Sequence, residues 1–195
     1  MVLWTIAIFM TIVFLAMLLL VLFRKIQFDA VHRNFLDFED EFGGNIDRRG
    51  FAVRPKYNGI YKGQPFAISF TSEKDQQIRR YYIVITMKGH SQKNFTIMSR
   101  EWLGNGKMDE ERQRDALPIN NDRYLLESPN VKIIKKLDVS AIENIIETME
   151  PFAWMLVGKS QMLLERASQN IVEDTKIEAL RPLLEGLFRL QETTG

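Results

Sequence analysis

Hydrophobic and polar residues are unevenly distributed along the chain, which divides into two parts after Phe23. Residues 2–23 contain no charged residue, and Thr5 and Thr11 are their polar side chains. These 22 residues, at about 1.5 Å rise each, form a helix of roughly 33 Å, enough to cross a hydrocarbon core of about 30 Å. The pattern predicts a transmembrane anchor over residues 1–23.

The residues that flank this apolar stretch indicate an uncleaved anchor and an orientation. A secretory signal needs a basic leading region and a small-residue cleavage site, whereas here bulky residues run directly into Arg24 and Lys25. Positive residues near a span stay on the cytoplasmic side, and Arg33 adds to that side. We therefore expect a single-pass protein of the inner or plasma membrane, with its N-terminus outside and residues 24–195 in the cytoplasm.

The next segment, residues 24–44, is predicted to continue the membrane helix as a juxtamembrane helix. Gly43-Gly44 would end it. Apolar residues recur at spacings of 3, 4, 3 and 4 and place one stripe along a single helix face. The stripe consists of Phe28, Val31, Phe35, Phe38 and Phe42. It is either a seam for a partner helix or a second copy, or it packs on the chain's own sheet. Two heptads are short for a coiled coil, which favours the second alternative.

Residues 51–99 alternate between apolar and polar side chains, as expected for antiparallel strands with one face on a core. A turn is predicted at Gly63-Gln64. Residues 102–122 are polar and contain two glycines and a proline, which is typical of a mobile loop or exposed insertion.

Helices and a hairpin are predicted for the C-terminal part. Residues 152–157 and 161–165 would pair across the turn Gly158-Lys159-Ser160, and Pro182 would kink or break the last helix. Three helix starts are indicated by capping residues: Ser128 before Pro129, Ser140 with Glu143, and Thr175 with Glu178.

The predicted fold class is α+β. One N-terminal transmembrane helix is followed by a small antiparallel-sheet domain with helices packed on one face. Residues 45–195 are expected to form the cytoplasmic α+β domain.

Composition excludes several classes of function. The chain has 26 basic and 25 acidic residues, for a net charge of +1, and no cysteine. Nucleic-acid-binding domains usually carry a strong basic excess, so no nucleic-acid partner is expected. Without cysteine there can be no disulfide, thiolate zinc site, iron–sulfur cluster or cysteine nucleophile.

No motif predicts a catalytic, cofactor or metal site. Gly158-Lys159-Ser160 resembles the end of a phosphate-binding loop, but Ala153 stands where that loop needs a glycine. His32 and His90 are the only histidines, and no carboxylates accompany them at ligand spacing. We therefore expect no cofactor, no metal and no enzymatic activity.

One basic cluster follows the juxtamembrane helix and consists of Arg48, Arg49, Arg54 and Lys56. Anionic lipid headgroups attract such charges, at about 1 kcal/mol for each one near the surface. The cluster is thus a candidate anionic-lipid contact, and an ordinary solvated loop is the alternative.

These features together favour a non-catalytic accessory or scaffold subunit of a larger membrane complex. Its expected partners are the lipid bilayer and other membrane subunits, and a homodimer is an alternative. A respiratory or photosynthetic complex is one candidate host, although no residue points to it specifically.

A membrane-tethered ligand or lipid sensor is the second hypothesis, and a concave apolar pocket beneath residues 57–70 would favour it. An enzyme of unfamiliar type is the third, and would need carboxylates gathered with Tyr57, Tyr61 or His90 in one cleft.

Overall fold

The N-terminal segment forms one uninterrupted helix. The structure, a computed structural model, describes residues 2–48, 50–75, 78–104 and 116–195. Helix α1 spans Val2–Phe42, so the predicted anchor and the predicted juxtamembrane helix are one element. Its apolar N-terminal part is entirely exposed, and in the described ranges α1 is the one helix whose length and composition suit a membrane crossing.

Helix α1 ends at the predicted glycines. Gly43 has a φ of 62°, and its N–H donates to the Glu39 carbonyl oxygen at 2.9 Å. This left-handed residue closes the last helical turn, as glycine does at many helix ends. Gly44 also has a positive φ, of 98°, and turns the chain toward the sheet.

The described residues form a nine-stranded, fully antiparallel sheet. Its order is β1-β2-β3-β4-β9-β8-β5-β7-β6. The strands are β1 Asn45–Asp47, β2 Lys56–Tyr61, β3 Gln64–Asp75, β4 Ile78–Lys88, β5 Phe95–Ser99, β6 Leu117–Ile119, β7 Tyr124–Glu127, β8 Trp154–Val157 and β9 Gln161–Ser168.

Two predicted loops differ in the structure. The β2–β3 turn is Lys62-Gly63 rather than Gly63-Gln64, because Tyr61 pairs with Gln64. Lys62 and Gly63 have φ values of 48° and 83°, as a two-residue hairpin turn requires. Within the expected loop 102–122, residues 117–119 form strand β6, and residues 105–115 lie outside the described ranges.

Six helices accompany the sheet in the described ranges. Besides α1 they are α2 Arg100–Leu103, α3 Val131–Ile134, α4 Val139–Glu147, α5 Ile171–Asp174 and α6 Ile177–Thr194. Pro182 lies inside α6, which continues through it, so of the two predicted alternatives the break does not occur and the kink stays a prediction. The helical break falls earlier, at Thr175 and Lys176, between α5 and α6.

The predicted helix caps are also wrong, because tertiary partners engage the expected capping side chains. Ser128 donates to the Asn94 carbonyl oxygen, and Asn130 instead accepts from the Lys132 N–H. Glu143 accepts from the Asn120 N–H. The caps of the two longer helices therefore shift: Asp138 replaces Ser140 as the N-cap of α4, and Lys176 rather than Thr175 precedes α6.

The main core lies between one face of the sheet and helices α1, α4 and α6. Alternate strand residues such as Ile83, Ile85 and Met87 point into it, as the period of two predicts. A smaller cluster of Met98, Leu103, Ala116 and Leu125 covers part of the opposite face. The fold is thus α+β with the long helices on one face of an antiparallel sheet, as predicted.

Candidate functional site

The aromatic stripe of α1 packs on the chain's own sheet. Phe28, Val31, Phe35 and Phe38 are completely buried. The Phe35 ring stacks on Phe70 with centroids 5.9 Å apart. Phe42, at the end of the stripe, is partly buried against this core. The four buried side chains therefore present no surface to a partner helix.

Tyr57 joins the sheet to the end of α1. Its hydroxyl donates to the Phe38 carbonyl oxygen at 3.0 Å and also contacts the Gly43 carbonyl oxygen. Phe38 lies near the end of α1 and Gly43 directly follows it, so this hydroxyl ties strand β2 to the C-terminal end of the helix. Burial raises the pKa of Tyr57 to about 12, and the nearby Glu39 carboxylate adds to the shift.

The first member of the basic cluster, Arg48, is engaged by α1. An Arg48 guanidinium nitrogen lies 2.7 Å from a carboxylate oxygen of Asp29, and the Arg48 side chain is only 17% exposed. Lys25 bonds the other Asp29 oxygen at 2.6 Å. The hydrogen bonds from Lys25 and then Arg48 hold the pKa of Asp29 below its usual range.

Arg54 supports an uncovered stretch of β3. Strand β2 pairs with β3 only as far as Ile68, so the Phe70 carbonyl oxygen lacks a β2 partner. Arg54 donates to that oxygen at 3.2 Å and to the Ser72 hydroxyl at 2.8 Å. Its guanidinium also lies 5.2 Å from the centre of the Tyr81 ring.

The remaining members of the cluster are Lys56, which is exposed, and Arg49, which lies outside the described residues. The two described arginines, Arg48 and Arg54, thus have intramolecular partners. Contact of this cluster with anionic lipid stays a prediction.

Sequence reasoning missed the apolar residues beside this cluster. Phe51 is 59% exposed and Val53 is 44% exposed. The Lys25 ammonium lies 5.3 Å from the centre of the Phe51 ring. Phe51 therefore lies beside the first turn of α1 after the apolar segment. An aromatic residue within a basic loop close to a membrane helix was the available signal.

A cavity of about 430 Å³ lies between α2 and the strands β4 and β9. Aromatic side chains form much of its wall: Tyr82, Trp102, and the pair Tyr124 and Phe152, whose rings stack at 4.6 Å. Burial, as the largest cause, raises the pKa of Tyr124 to about 12. The cavity can therefore accept an apolar group of modest size.

Three arginines also line this cavity. Arg100 pairs with Asp122 at 2.5 Å, and Arg123 pairs with Glu150 at 2.6 Å. Arg80 is exposed and forms no ion pair with any side chain that the structure describes. The cavity thus combines an aromatic wall with the positive charge of Arg80, and the Glu101 carboxylate also lines it.

A second cavity, of about 410 Å³, lies along residues 58–60 and 65–67, in the region where sequence analysis looked for a pocket. Its wall includes Ile60, Pro65 and Phe66, together with the polar Asn58 and Gln161. Its wall is at least as apolar as that of the cavity beside α2, and Lys88 is the charged residue that lines it.

The residues considered for catalysis are not gathered in one cleft. Tyr57 is bonded to the end of α1, and His90 is exposed in a loop. Tyr61 donates to Glu185 at 2.6 Å, and the hydrogen bonds from Lys62 and then Tyr61 lower the pKa of Glu185. In the described ranges no three His, Cys, Asp or Glu side chains form a group that could hold a metal ion.

Gly158-Lys159-Ser160 forms the hairpin turn between β8 and β9. The Gly158 N–H donates to the Gln161 carbonyl oxygen at 3.0 Å. The predicted hairpin is confirmed, and its glycine N–H is used within the turn.

Comparison with known proteins gives little. No protein-family model matches the chain, and no curated protein matches it. A solved structure with some similarity is the crystal structure of the mycobacterial trehalose monomycolate transport factor A, TtfA. It shares 13% identity and a TM-score of 0.47, over 82% of this chain and 95% of that chain. A similarity of this size carries no functional information.

Proposed function

We propose that the chain is a single-pass, membrane-anchored accessory subunit that holds a non-catalytic domain at a fixed position beside a larger membrane complex. The observation that carries this proposal is the continuity of α1. One helix provides both the exposed apolar segment and the central, fully buried aromatic residues of the domain.

This continuity favours a positioning role over a mobile tether. No glycine or proline interrupts residues 2–42, so no flexible hinge separates the anchor from the core. The 19 residues after Phe23, up to and including Phe42, span about 28 Å of helix. The domain is thereby held within about 30 Å of the bilayer, where it can present a constant face to neighbouring subunits.

The proposed orientation places the domain in the cytoplasm. Arg24, Lys25 and Arg33 follow the apolar segment. Short basic flanks of this kind favour retention on the cytoplasmic side. Cysteine-specific labelling of an Asp37→Cys variant in intact cells tests this, because the native chain has no cysteine. If a membrane-impermeant reagent labels this cysteine without lysis, the domain lies outside the cytoplasm and the proposed orientation is wrong.

Gentle extraction tests the subunit role. The full chain, tagged at Gly195, is purified from its native membranes and weighed by native mass spectrometry. We expect one or more membrane proteins at fixed stoichiometry. A monomer or homodimer alone would contradict the proposal.

A matched control separates the contributions of anchor and domain. In this variant, residues 2–23 are replaced by an unrelated apolar helix of the same length. Retention of the same partners would show that the domain makes the contact, and their loss would assign it to the span.

Ligand sensing is the second candidate function, and the cavity beside α2 favours it. An aromatic wall with the available Arg80 charge suits a small anionic amphiphile, whose tail packs on Trp102 and whose head group meets the guanidinium. Hexyl phosphate is a soluble probe of that class. Its binding to the full chain in nanodiscs can be followed by saturation-transfer NMR.

Two variants test the cavity directly. Arg80→Glu and Trp102→Ala are each expected to weaken hexyl phosphate binding by about tenfold, which corresponds to about 1.4 kcal/mol. Lys159→Glu is the control, since Lys159 is an exposed cation in the hairpin turn between β8 and β9 and lines neither of the two cavities described above. Equal binding by all three variants would remove the ligand-sensing candidate.

A further inference from the structure

Exposed apolar side chains of the domain concentrate at the base of the anchor. Beyond Phe23, five described large hydrophobic side chains are exposed, namely Ile26, Leu36, Phe51, Val53 and Ile60. Three of them, Ile26, Phe51 and Val53, belong to the first turn of α1 after the apolar segment or to the loop beside it. Single exposed hydrophobic residues are ordinary, but a local group of them marks an interaction site.

The position of Phe51 is fixed by contacts on both of its sides. The Lys25 ammonium lies 5.3 Å from its ring centre, and Arg48 donates to its carbonyl oxygen at 3.4 Å. Arg48 is in turn held by Asp29, at 2.7 Å. The loop is therefore clamped to the helical turn that contains residues 25–29.

That turn lies at the height of the lipid headgroups. Lys25 is two residues beyond Phe23, which is about 3 Å along the helix. The headgroup region on each side of a bilayer is roughly 5–7 Å thick. A ring in contact with Lys25 thus lies within this region whenever α1 spans the bilayer, and aromatic residues are favoured there.

We propose that loop 50–53 is a second membrane contact, in which Phe51 and Val53 enter the headgroup region of the leaflet from which α1 emerges. The inference rests on the proposed membrane span and adds a contact that α1 alone does not make. Because this loop lies on one side of α1, its contact with the bilayer sets the direction in which α1 tilts.

The loop contact differs from the anionic-lipid contact predicted by charge. Arg48 and Arg54 are bound within the domain, whereas Phe51 and Val53 are exposed, so the side chains that enter the headgroup region in this contact are apolar. Lys25, whose side chain is about one-third exposed at 35%, borders the loop and is near enough to reach lipid phosphates.

Fluorescence quenching at defined depth tests the proposal. The full chain contains no cysteine, so Phe51→Cys carries a single environment-sensitive label. The protein is reconstituted into phosphatidylcholine vesicles that contain lipids spin-labelled near the headgroup. We expect the label at position 51 to be quenched at least twofold more than a label in Ile60→Cys.

Ile60 is the matched control because it is 57% exposed, similar to Phe51, and lies near the far end of α1. The adjacent Tyr61 packs on Phe42, with ring centres 5.4 Å apart. A label at Val13→Cys, in the apolar segment, reports on the span itself. If the label at position 13 is quenched, but the label at position 51 is quenched no more than the label at position 60, the loop contact is wrong and the anchor is unaffected. Absence of quenching at position 13 by lipids labelled deep in their chains would overturn the anchor and the loop contact together.

A second variant tests whether Phe51 itself holds the loop on the bilayer. A label at Val53→Cys is compared with and without Phe51→Ser. Because the ring is exposed, this substitution removes little packing within the domain. We expect quenching at position 53 to fall by about half when Phe51 is replaced. Unchanged quenching would show that Phe51 does not bind the membrane.

Discussion

The side-chain amide of Asn34 donates a hydrogen bond of 3.0 Å to the hydroxyl oxygen of Thr175. The same amide donates to the Val172 carbonyl oxygen at 2.6 Å. Thr175 is completely buried, and its own hydroxyl donates to the Ile171 carbonyl oxygen at 2.7 Å. Asn34 thereby joins the helix that leaves the membrane to the end of α5, which is 138 or more residues away in sequence.

Replacement of Asn34 should destabilise the domain. Asn34→Ala leaves the Val172 carbonyl oxygen without this donor, and we expect the free energy of unfolding to decrease by about 1–3 kcal/mol. Asp37→Ala, at an exposed position of the same helix, should change it by no more than about 0.5 kcal/mol. Denaturant unfolding of the full chain in detergent, followed by near-UV circular dichroism, measures both. Equal effects of the two variants would contradict the role of Asn34.

The two glycines after α1 should differ in their tolerance of alanine. Both have positive φ, but a Cβ at Gly43 would meet open space, whereas a Cβ at Gly44 would overlap the Asn58 carbonyl oxygen of β2. Gly43→Ala should cost about 1 kcal/mol of backbone strain. Gly44→Ala should cost at least about 2 kcal/mol more, because a backbone atom must move. The same unfolding measurement ranks them, and equal costs would mean that the chain beside β2 relaxes freely.

Stability should fall at high pH because three buried tyrosines resist ionisation. Burial raises the pKa of Tyr57, Tyr61 and Tyr124 from 10.0 to about 12. As the pH rises, these tyrosines lose their protons in the unfolded chain before they do so in the folded chain. Their contribution to the free energy of unfolding is therefore fully present below pH 10 and decreases between about pH 10 and 12. Each tyrosine contributes at most about 1.4 kcal/mol per pH unit.

Tyr57→Phe isolates one of these contributions. We expect a shallower decrease in stability between about pH 10 and 12 than in the native chain, together with a loss at neutral pH from the missing hydrogen bond. Urea unfolding at several pH values gives the slopes. Parallel curves for the two proteins would show that Tyr57 titrates normally.

Loop 50–53 should loosen when Asp29 loses its charge. Asp29→Asn weakens the ion pairs with Arg48 and Lys25, and we expect amide hydrogen exchange in the loop to become several-fold faster. Asp37→Asn is the control on the exposed side of α1. Because the pKa of Asp29 is below 3.8, the native clamp should persist above pH 3.8 and be lost only as the pH falls further. Unchanged exchange in Asp29→Asn would show that the clamp does not depend on this carboxylate.

Periodic burial was the part of the fold that the sequence encoded most directly. Phe28, Val31, Phe35 and Phe38 recur at helical spacing, and the β4 residues alternate, because one side of each element faces the same core. Such patterns can be recognised in the sequence without knowledge of the tertiary structure. They were sufficient for the α+β class and for the interpretation that the stripe packs on its own sheet.

Helix starts were less predictable because several capping side chains compete within a few residues. Ser140 and Asp138 can both cap α4, and the choice depends on Glu143, which binds the distant Asn120 N–H. Pro182 removes one backbone donor, yet packing of Leu180, Leu183 and Leu184 keeps α6 continuous. These outcomes depend on long-range contacts that local sequence does not contain.

The candidate sites were the least predictable. Arg80, Trp102 and Phe152 meet around one cavity although they come from separate segments. Phe51 belongs to no periodic pattern. Its candidate role in membrane contact follows only from its position beside Lys25, which the sequence does not show. Sequence reasoning selected the neighbouring arginines instead, since charge clusters are visible without a structure.

Because α1 is unbroken, any tilt of its membrane-spanning part also moves the far end of the domain. A span that is longer than the local hydrocarbon thickness tilts, and tilts of about 20° are common. Over the roughly 28 Å from Phe23 to Phe42, such a tilt displaces the far end sideways by about 10 Å. Membrane thickness is thereby converted into the position of the surface around Tyr61 and Glu185, which packs at that end.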